Sequence, residues 1–514
     1  MQALTDLIAR FRRDQRGKIV VIFALTCVPV LSAIGCAVDY SMATIMRAKL
    51  QSAADAASVA SISQKSAGFI AAAAMSGNGS VTAGVTEANK IFDGNTGEIT
   101  GYANLSRTST VTKTGIKLAS NVQFSADVPA VFMKVLGYQN LTVTGSSASA
   151  ASLPQYLDFY LMLDVSGSMG LPSTNNEQTR LANINPDNFG QYPGGCTLAC
   201  HFAVQNVCSD TGSNNQKYPT NNYCMGYAIS RVSPSGYQTL LNNNSGHLPS
   251  SMLAGLPASL SSGNAQSLPA VTSCPTDGTS ACIQLRADAV GYAVTQLLIT
   301  ANASAKVTNQ FRIGLYPFIQ DLYEYFRLTS SINGSSTNPS TINYAAANLA
   351  SQLDTNTNAN LGSGGTHIDT ALTTLSGLIV NVGDGSTSNN TLPYIFLVTD
   401  GAQDPQTKLL NQSGGWAGSN HATVIDPTQQ CATIKSRGIV ISVLYIPYQP
   451  IQNPNASFAG NEDGYANANI ANIPASLQGC ASPNFFFTAN TPADITAALN
   501  AMFNQALITA HITN

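Results

Sequence analysis

The chain is poor in charge. Only 10% of its 514 residues are Asp, Glu, Lys or Arg, against about 25% in an ordinary soluble domain. The 23 basic and 26 acidic residues leave a net charge of −3. No basic field exists to hold nucleic acid, whose phosphates are met by clustered Lys and Arg. Trp occurs once. There is no P-loop, no dinucleotide-binding glycine motif and no His-Glu-x-x-His, the usual marks of phosphate, nicotinamide and zinc-hydrolase chemistry. Long apolar runs are confined to the N-terminal region, which excludes a polytopic membrane protein. Hydrophobic content is still an ordinary 44%, so the missing charge has been replaced by Ser, Thr, Asn, Gly and Ala, a composition that suits an exported surface. The length allows two or more domains of ~100–200 residues each.

What is present begins with Arg10, Arg12, Arg13, Arg16 and Lys18, followed by an uncharged apolar run from Ile19 to Val38. At ~1.5 Å per residue such a run covers a ~30 Å hydrocarbon core. Basic residues before it and Asp39 after it predict residues 1–18 in the cytoplasm, a span over 19–38, and everything later beyond the membrane. A cleaved secretory signal has a similar basic flank, but its apolar core is only about 7–15 residues long. Here the helical pattern continues through Tyr40 to Ala60, and Pro29 is expected to kink the helix without ending it.

The ten cysteines divide by this topology. Cys27 and Cys36 lie in the span and read as small apolar side chains. The other eight are on the exported side, where an even number reads as disulfides. Cys431 with Cys480, flanking one strand, and Cys274 with Cys282, closing a short loop, are the expected pairs. Three pairings remain open among Cys196, Cys200, Cys208 and Cys224. The run Cys196-Thr-Leu-Ala-Cys200-His201 has one residue too many for haem attachment and leaves a zinc site as the rival to disulfides.

Residues 39–150 read as a helix continuous with the span, a low-complexity Ala/Gly/Ser stretch to about residue 83, and then a small strand-rich region. Ile116, Leu118, Val122, Phe124, Ala126 and Val128 alternate with mostly polar neighbours, the period-two signature of a half-buried strand. Val131–Leu136 reads as a short helix and Leu141–Val143 as another strand. A long helix followed by a few strands resembles a pilin in outline. The resemblance sharpens at Arg16-Gly17-Lys18-Ile19-Val20-Val21-Ile22-Phe23, at Val38-Asp39-Tyr40 and at Lys49-Leu50-Gln51-Ser52-Ala53-Ala54-Asp55-Ala56-Ala57. These resemble the N-terminal segment of the TadE/TadG-like proteins of the bacterial Flp, or tight-adherence, pilus-assembly system. The resemblance implies an inner-membrane anchor with a periplasmic or cell-surface body, and pilus components as partners. Prepilins of that system carry Glu five residues after the processed Gly; after Gly17 that place is taken by Ile22.

From residue 155 strands alternate with helices, the order that builds an α/β domain with a doubly wound, mostly parallel sheet. Strands are expected at Leu157–Leu163, Phe311–Phe318, Tyr394–Val398, Ile439–Tyr445 and Phe485–Phe487. Ala287, Val290, Val294, Leu297 and Leu298 share one helical face. Asp426-Pro427 and Thr491-Pro492-Ala493-Asp494 mark helix starts, and Gly438 marks a stop.

Ligands of such sheets bind beyond the C-terminal strand ends. Asp164-Val165-Ser166-Gly167-Ser168 follows the first strand, Gly364-Gly365-Thr366 precedes a helix, and Thr399-Asp400-Gly401 follows a later strand. Each alone reads as a capped turn. Together, and in this order over residues 155–513, they resemble the metal-ion-dependent adhesion site of von Willebrand factor A domains. That implies Mg²⁺ or Mn²⁺ held by Asp164, Ser166, Ser168, Thr366 and Asp400, with a coordination position left for a carboxylate from a protein partner. Such hard cations take oxygen donors, about six for Mg²⁺. Glu462 and Asp463 are candidates for an internal carboxylate in that position. His367, beside Thr366, reads as a helix-start surface residue.

An insertion at 170–281, carrying Cys196, Cys200, Cys208, Cys224 and Cys274, separates the first strand from its helix. It and the loops at 401–425 and 447–480 leave C-terminal strand ends and are expected on the metal face, where recognition is tuned. The expected function is that of a membrane-anchored exported protein of pilus assembly or surface adhesion, a binding protein and not an enzyme. Two rivals are an envelope spacer with a fold-stabilising metal and an envelope hydrolase, which would need a catalytic His or Glu near Ser166 or Asp400.

Overall fold

The computed structural model describes residues 16–184, 273–354, 359–362, 364–405, 421–450 and 462–512. The chain divides into two units, Met1–Pro154 and Gln155–Asn514.

In the first unit, α1 (Arg16–Ala60) is one unbroken helix that runs through Pro29. Its N-terminal part is long and apolar enough to cross a membrane. Beyond it come α2 (Ala67–Ala74), β1 (Gly79–Ser80), α3 (Thr82–Thr96), β2 (Ala103–Thr114), β3 (Lys117–Pro129) and β4 (Asn140–Ser152). The strands form an antiparallel sheet in the order β1-β2-β3-β4. The run at residues 49–57 supplies the helix face that meets this sheet. Leu50, Ala53, Ala54 and Ala57 are buried at helical spacing against Val122, Phe124, Ala126 and Val143. Small side chains let helix and strand approach closely enough for Ser58 Oγ to meet Ser147 Oγ at 2.9 Å and Ser149 Oγ at 2.8 Å. The period-two strand is β3, whose even-numbered residues from Leu118 to Val128 are buried.

Four details differ from the expectations. The segment read as low complexity contains α2 and β1, and α3 follows it. β2 was not foreseen, because its Ser/Thr-rich sequence has one half-exposed face and few apolar residues. The short helix shrinks to a single turn, Met133–Leu136. The strand expected at Leu141–Val143 extends to Ser152, since its backbone pairs with β3 from Asn140 to Ser152 whatever its side chains are.

The second unit contains β5 (Leu157–Asp164), α4 (Asn175–Ile184), α5 (Arg286–Ser304), β6 (Phe311–Phe318), β7 (Phe326–Thr329), α6 (Ile342–Ala347), α7 (Ile368–Leu378) and β8 (Leu392–Thr399). It continues with α8 (Ala432–Ser436), β9 (Val440–Tyr445), α9 (Glu462–Asn469), α10 (Ile473–Cys480), β10 (Phe486–Thr488) and α11 (Pro492–Ile512). The sheet order is β10-β9-β8-β5-β6-β7. Five strands run parallel, and β7 is an antiparallel edge, so the sheet is mixed. Alternation along β5 sends Phe159, Leu161 and Leu163 into a core with α5 and α11. Tyr160 and Met162 enter a second core with α7 and α10. A continuous apolar run is required for a strand covered on both faces.

Both helix-start signals are realised. Thr428 N–H donates to Asp426 Oδ1 at 2.9 Å. Asp494 N–H donates to Thr491 Oγ1 while Thr491 N–H donates to Asp494 Oδ2, each at 3.1 Å, a reciprocal cap. Gly438, at φ 85°, ends α8 in the left-handed region that favours glycine. Both expected disulfides are present, Cys274–Cys282 and Cys431–Cys480. Cys196, Cys200, Cys208 and Cys224 lie outside the described residues.

Candidate functional site

Parallel pairing decides where the site forms. β5 and β8 are hydrogen-bonded neighbours in a register that places Leu163 beside Val398. The residues that follow each strand therefore emerge together. Asp164 ends β5, and the chain then turns through Gly167–Gly170. Asp164 Oδ1 accepts from Ser166 N–H at 2.9 Å, and its Oδ2 accepts from Thr399 Oγ1 at 2.6 Å. The Thr399 hydroxyl in turn accepts Gly401 N–H at 2.9 Å. Ser166 Oγ lies 3.4 Å from Ser168 Oγ. Asp400 follows β8 and is fully buried, with neither carboxylate oxygen in a well-formed hydrogen bond.

Thr366 is placed by its backbone, beside the segment that follows Asp400. Its N–H donates to Asp404 O at 2.9 Å and its carbonyl accepts from Asp404 N–H at 3.0 Å. The next residue, His367, donates its N–H to Ile319 O at 2.8 Å, just past the end of β6. Thr366 is thus held between the ends of β6 and β8, buried in the short bridge that leads into α7. His367 stands at the start of α7, half-buried, as expected for a helix-start residue. Gly364 and Gly365, at φ 79° and 80°, turn the chain into this bridge.

Four of the five expected residues follow the C-terminal ends of β5 and β8: Asp164, Ser166 and Ser168 are joined by local contacts, and Asp400 is linked to Asp164 through charge and to Ser168 through its hydroxyl. Thr366 precedes α7, and its main chain binds Asp404 and not the other four. Among the described residues no group of three or more His, Cys, Asp or Glu could hold a metal. A cation here would therefore rely on the Ser and Thr hydroxyls beside two carboxylates. The donor set is entirely hard oxygen, which suits Mg²⁺ or Mn²⁺ and not a soft metal. Neither oxygen of Asp400 has a well-formed hydrogen bond, and a cation would supply what they lack, since a buried carboxylate short of hydrogen bonds is costly.

Three residues outside the expected donor set also shape the site: Thr399, which belongs to the Thr399-Asp400-Gly401 run, and Asp354 and Arg286, which have no sequence signal. Thr399 anchors Asp164 through the hydrogen bond above. Asp354 Oδ2 accepts Gly364 N–H at 2.9 Å, and Asp354 N–H donates to Val165 O at 3.0 Å, which clamps the glycine turn to the segment after β5. Arg286, first residue of α5, is almost wholly buried. Its Nη1 lies 3.7 Å from Asp400 Oδ2 and its Nη2 donates to Pro447 O at 3.1 Å. It is the only charge of opposite sign paired with the two carboxylates among the described residues. Burial, reinforced by the Asp164 charge and opposed by Arg286, pushes the Asp400 carboxyl up to about 7. Burial also raises Asp164, against its hydrogen bonds from Ser166 and Thr399. Burial lowers Arg286, with Asp400 opposing.

The described ends of the insertion are sewn together. Leu171 O accepts Arg286 N–H at 2.7 Å, and Ser173 N–H donates to Gln284 O at 2.9 Å. The buried carboxylate of Glu177 accepts N–H from Gly278 at 2.6 Å and from Gln284 at 3.0 Å. A long excursion can therefore leave and rejoin without disturbing β5 or α5. Residues 185–272 of it lie outside the described residues, as do the side chains of Glu462 and Asp463, whose backbone begins α9 instead of a turn.

Residues 17–74 match the family model for TadE/G-like Flp pilus-assembly proteins. A search of the curated proteins finds no match. Among solved structures the chain is similar to the pilus adhesin SpaC of Lactobacillus rhamnosus GG, at 12% identity and a TM-score of 0.31, over 79% of this chain and 34% of that one. It thus spans about a third of the SpaC chain. The vWF domain of the type V pili tip protein Mfa5 of Porphyromonas gingivalis aligns at 13% identity and a TM-score of 0.26, over 44% of this chain and 89% of that one. The PilB minor pilin of Streptococcus sanguinis aligns at 10% identity and a TM-score of 0.30, over 80% of each chain.

Proposed function

We propose that this chain is a membrane-anchored exported protein of Flp/Tad pilus assembly or surface adhesion, and that its second unit is a doubly wound von Willebrand factor A domain that binds a protein partner through Mg²⁺ or Mn²⁺. The observation that carries the reading is the buried Asp400 carboxylate, short of hydrogen-bond donors and set beside Asp164, Ser166 and Ser168 at the ends of adjacent parallel strands. Asp164, Ser166, Ser168, Thr366 and Asp400 would hold the ion. When bound, it supplies a coordination position for the partner's carboxylate. Ser166, Ser168 and Thr366 contribute neutral oxygens, so few protein charges quench the cation and it keeps its affinity for an outside anion. This is binding chemistry, so the protein acts as an adhesin-like module and not as an enzyme. The family match over residues 17–74 supports pilus components as partners, with the apolar part of α1 in the bacterial inner membrane, the N-terminus cytoplasmic and the bulk periplasmic or on the cell surface.

Calorimetric titration of the chelator-treated full chain in detergent tests this. One Mg²⁺ or Mn²⁺ per chain is expected, and Ser166→Ala with Ser168→Ala should keep the native circular dichroism while losing most of the heat and partner capture in cells. No heat from the native chain, or equal heat from Asp164→Ala, refutes the metal reading. One observation favours a second reading, a spacer whose site serves the fold: Arg286 already offsets part of the charge on Asp400. In that case the double Ser variant captures partners as well as the native chain does.

A further inference from the structure

The β3–β4 connection of the first unit exposes an apolar cluster that the reading above does not use. Val131, Phe132, Val135, Leu136 and Tyr138 are 58%, 51%, 87%, 52% and 59% exposed. Five large apolar side chains in eight residues is far from the single scattered hydrophobics of an ordinary surface. Their position relative to α1 says what covers them.

Asp39, the first charged residue after the apolar run, is 2% exposed because this connection packs over it. Its Oδ1 accepts Val131 N–H at 3.0 Å, and its Oδ2 accepts Phe132 N–H at 2.9 Å and Met133 N–H at 2.7 Å. One turn back along the same helix face, Gly35 is also buried. A Cβ there would come within 2.5 Å of Phe132 Cβ, so the loop touches bare helix backbone inside the apolar run. The cluster is therefore held at the depth of residues 35–39, continuous with the exposed Ile34 and Val38 of α1. The three N–H groups that would otherwise need water are taken by one carboxylate, which lowers the cost of bringing this connection to the interfacial zone at the edge of the hydrocarbon, where unsatisfied backbone is expensive. Tyr138 and Lys134, an amphipathic ring and a long cation on the same connection, suit the headgroup zone.

We infer that the 131–138 connection dips into the outer face of the bilayer beside α1 and acts as a second membrane contact, which fixes the depth and rotation of the helix where it leaves the lipid. The occupant of this apolar surface is the lipid itself. The inference rests on the membrane-anchor reading of α1, and the test separates the two.

The full chain carrying Trp416→Phe, which removes its single Trp, receives one new Trp by Val135→Trp, Val28→Trp or Ile70→Trp. Each variant is reconstituted in phosphatidylcholine vesicles with plain or brominated acyl chains. Val28 is in the span. Ile70 is 61% exposed in α2, whose Gly68 packs against the carbonyl of Ser61, and Ser61 lies roughly 30 Å beyond Asp39 at 1.5 Å per residue. Brominated lipid should quench the Val28→Trp and Val135→Trp variants by half or more and leave Ile70→Trp unchanged. Quenching of Val28→Trp with Val135→Trp behaving like Ile70→Trp overturns the loop contact alone. An unquenched Val28→Trp overturns the anchor reading and this inference with it. If Val135→Trp escapes lipid quenching yet is shielded from aqueous iodide, protein covers the loop and the inference is wrong.

Discussion

The metal-free protein should lose stability as pH rises from about 4 to about 7, and Asp400 should be the main cause. Its carboxyl moves from an ordinary 3.8 in the unfolded chain to about 7 in the fold, because burial and the neighbouring Asp164 charge together outweigh Arg286. Between those values the folded state binds a proton that the unfolded state has released. The stabilisation is therefore complete below the unfolded pKa and vanishes as pH passes the folded one. About three pKa units at about 1.4 kcal/mol each amount to on the order of 4 kcal/mol. No discount for solvent screening applies, since the group is fully buried. Asp164 is displaced in the same direction and adds to the slope. Urea unfolding of the full chain in detergent, followed by near-ultraviolet circular dichroism of the rings packed around Phe159 and Tyr394, measures it with EDTA present. The comparison is Asp400→Asn, a near-isostere without the titration. The native chain should fall relative to that variant by about 4 kcal/mol across the window, and saturating Mg²⁺ should flatten its curve as the cation takes over the proton's role. Parallel native and variant curves from pH 4 to 7 would refute the reasoning.

Other consequences are open to similar measurements. Arg286→Met, tested at pH 8 in EDTA, should cost about 3 kcal/mol, because it leaves the Asp400 charge buried and unpaired; the same variant should bind Mg²⁺ more tightly in calorimetry, and equal stability and equal affinity would deny Arg286 its counter-ion role. Joint replacement of Cys431 and Cys480 by Ser opens a loop of sequence separation 49 and should lower the urea-derived stability by about 4 kcal/mol on chain entropy; an unchanged midpoint contradicts this. Phe159→Ala should cost about 3–5 kcal/mol, because the ring is fully buried with Phe396 at 5.1 Å, Phe503 at 5.3 Å and Tyr394 at 5.6 Å around it; a loss below about 1 kcal/mol would mean that the core collapses onto the gap.

Much of the second unit is legible along the chain because its signals are local. β5, β6 and β8 are nearly continuous apolar runs, interrupted near their starts by the paired Asp158 and Arg312, because strands buried on both faces have little polar side to show. Asp426 and Thr491 announce helix starts within a few residues, and Asp164, Ser166 and Ser168 stand together because one turn carries them. Cys431 and Cys480 flank a single strand, so their pairing follows from the order of elements. An N-terminal helix long and apolar enough to cross a membrane is likewise legible from length and composition alone.

What needed the tertiary structure is whatever depends on a distant partner. β4 is a strand to Ser152 because β3 lies alongside it, and its Ser147 and Ser149 meet Ser58 of α1. β7 becomes an antiparallel edge through its pairing with β6. Arg286 and Asp354 are ordinary residues in sequence, yet one lands 3.7 Å from Asp400 and the other ties Gly364 to Val165. Asp39 reads as a charge that ends a membrane span, and only the folded chain shows it gripping the backbone of residues 131–133. Periodicity, capping and apolar length are settled by neighbours a few bonds apart, so sequence determines them. A buried charge and its counter-ion are joined only when chain closure brings segments more than a hundred residues apart within a few ångströms, and no local pattern records that.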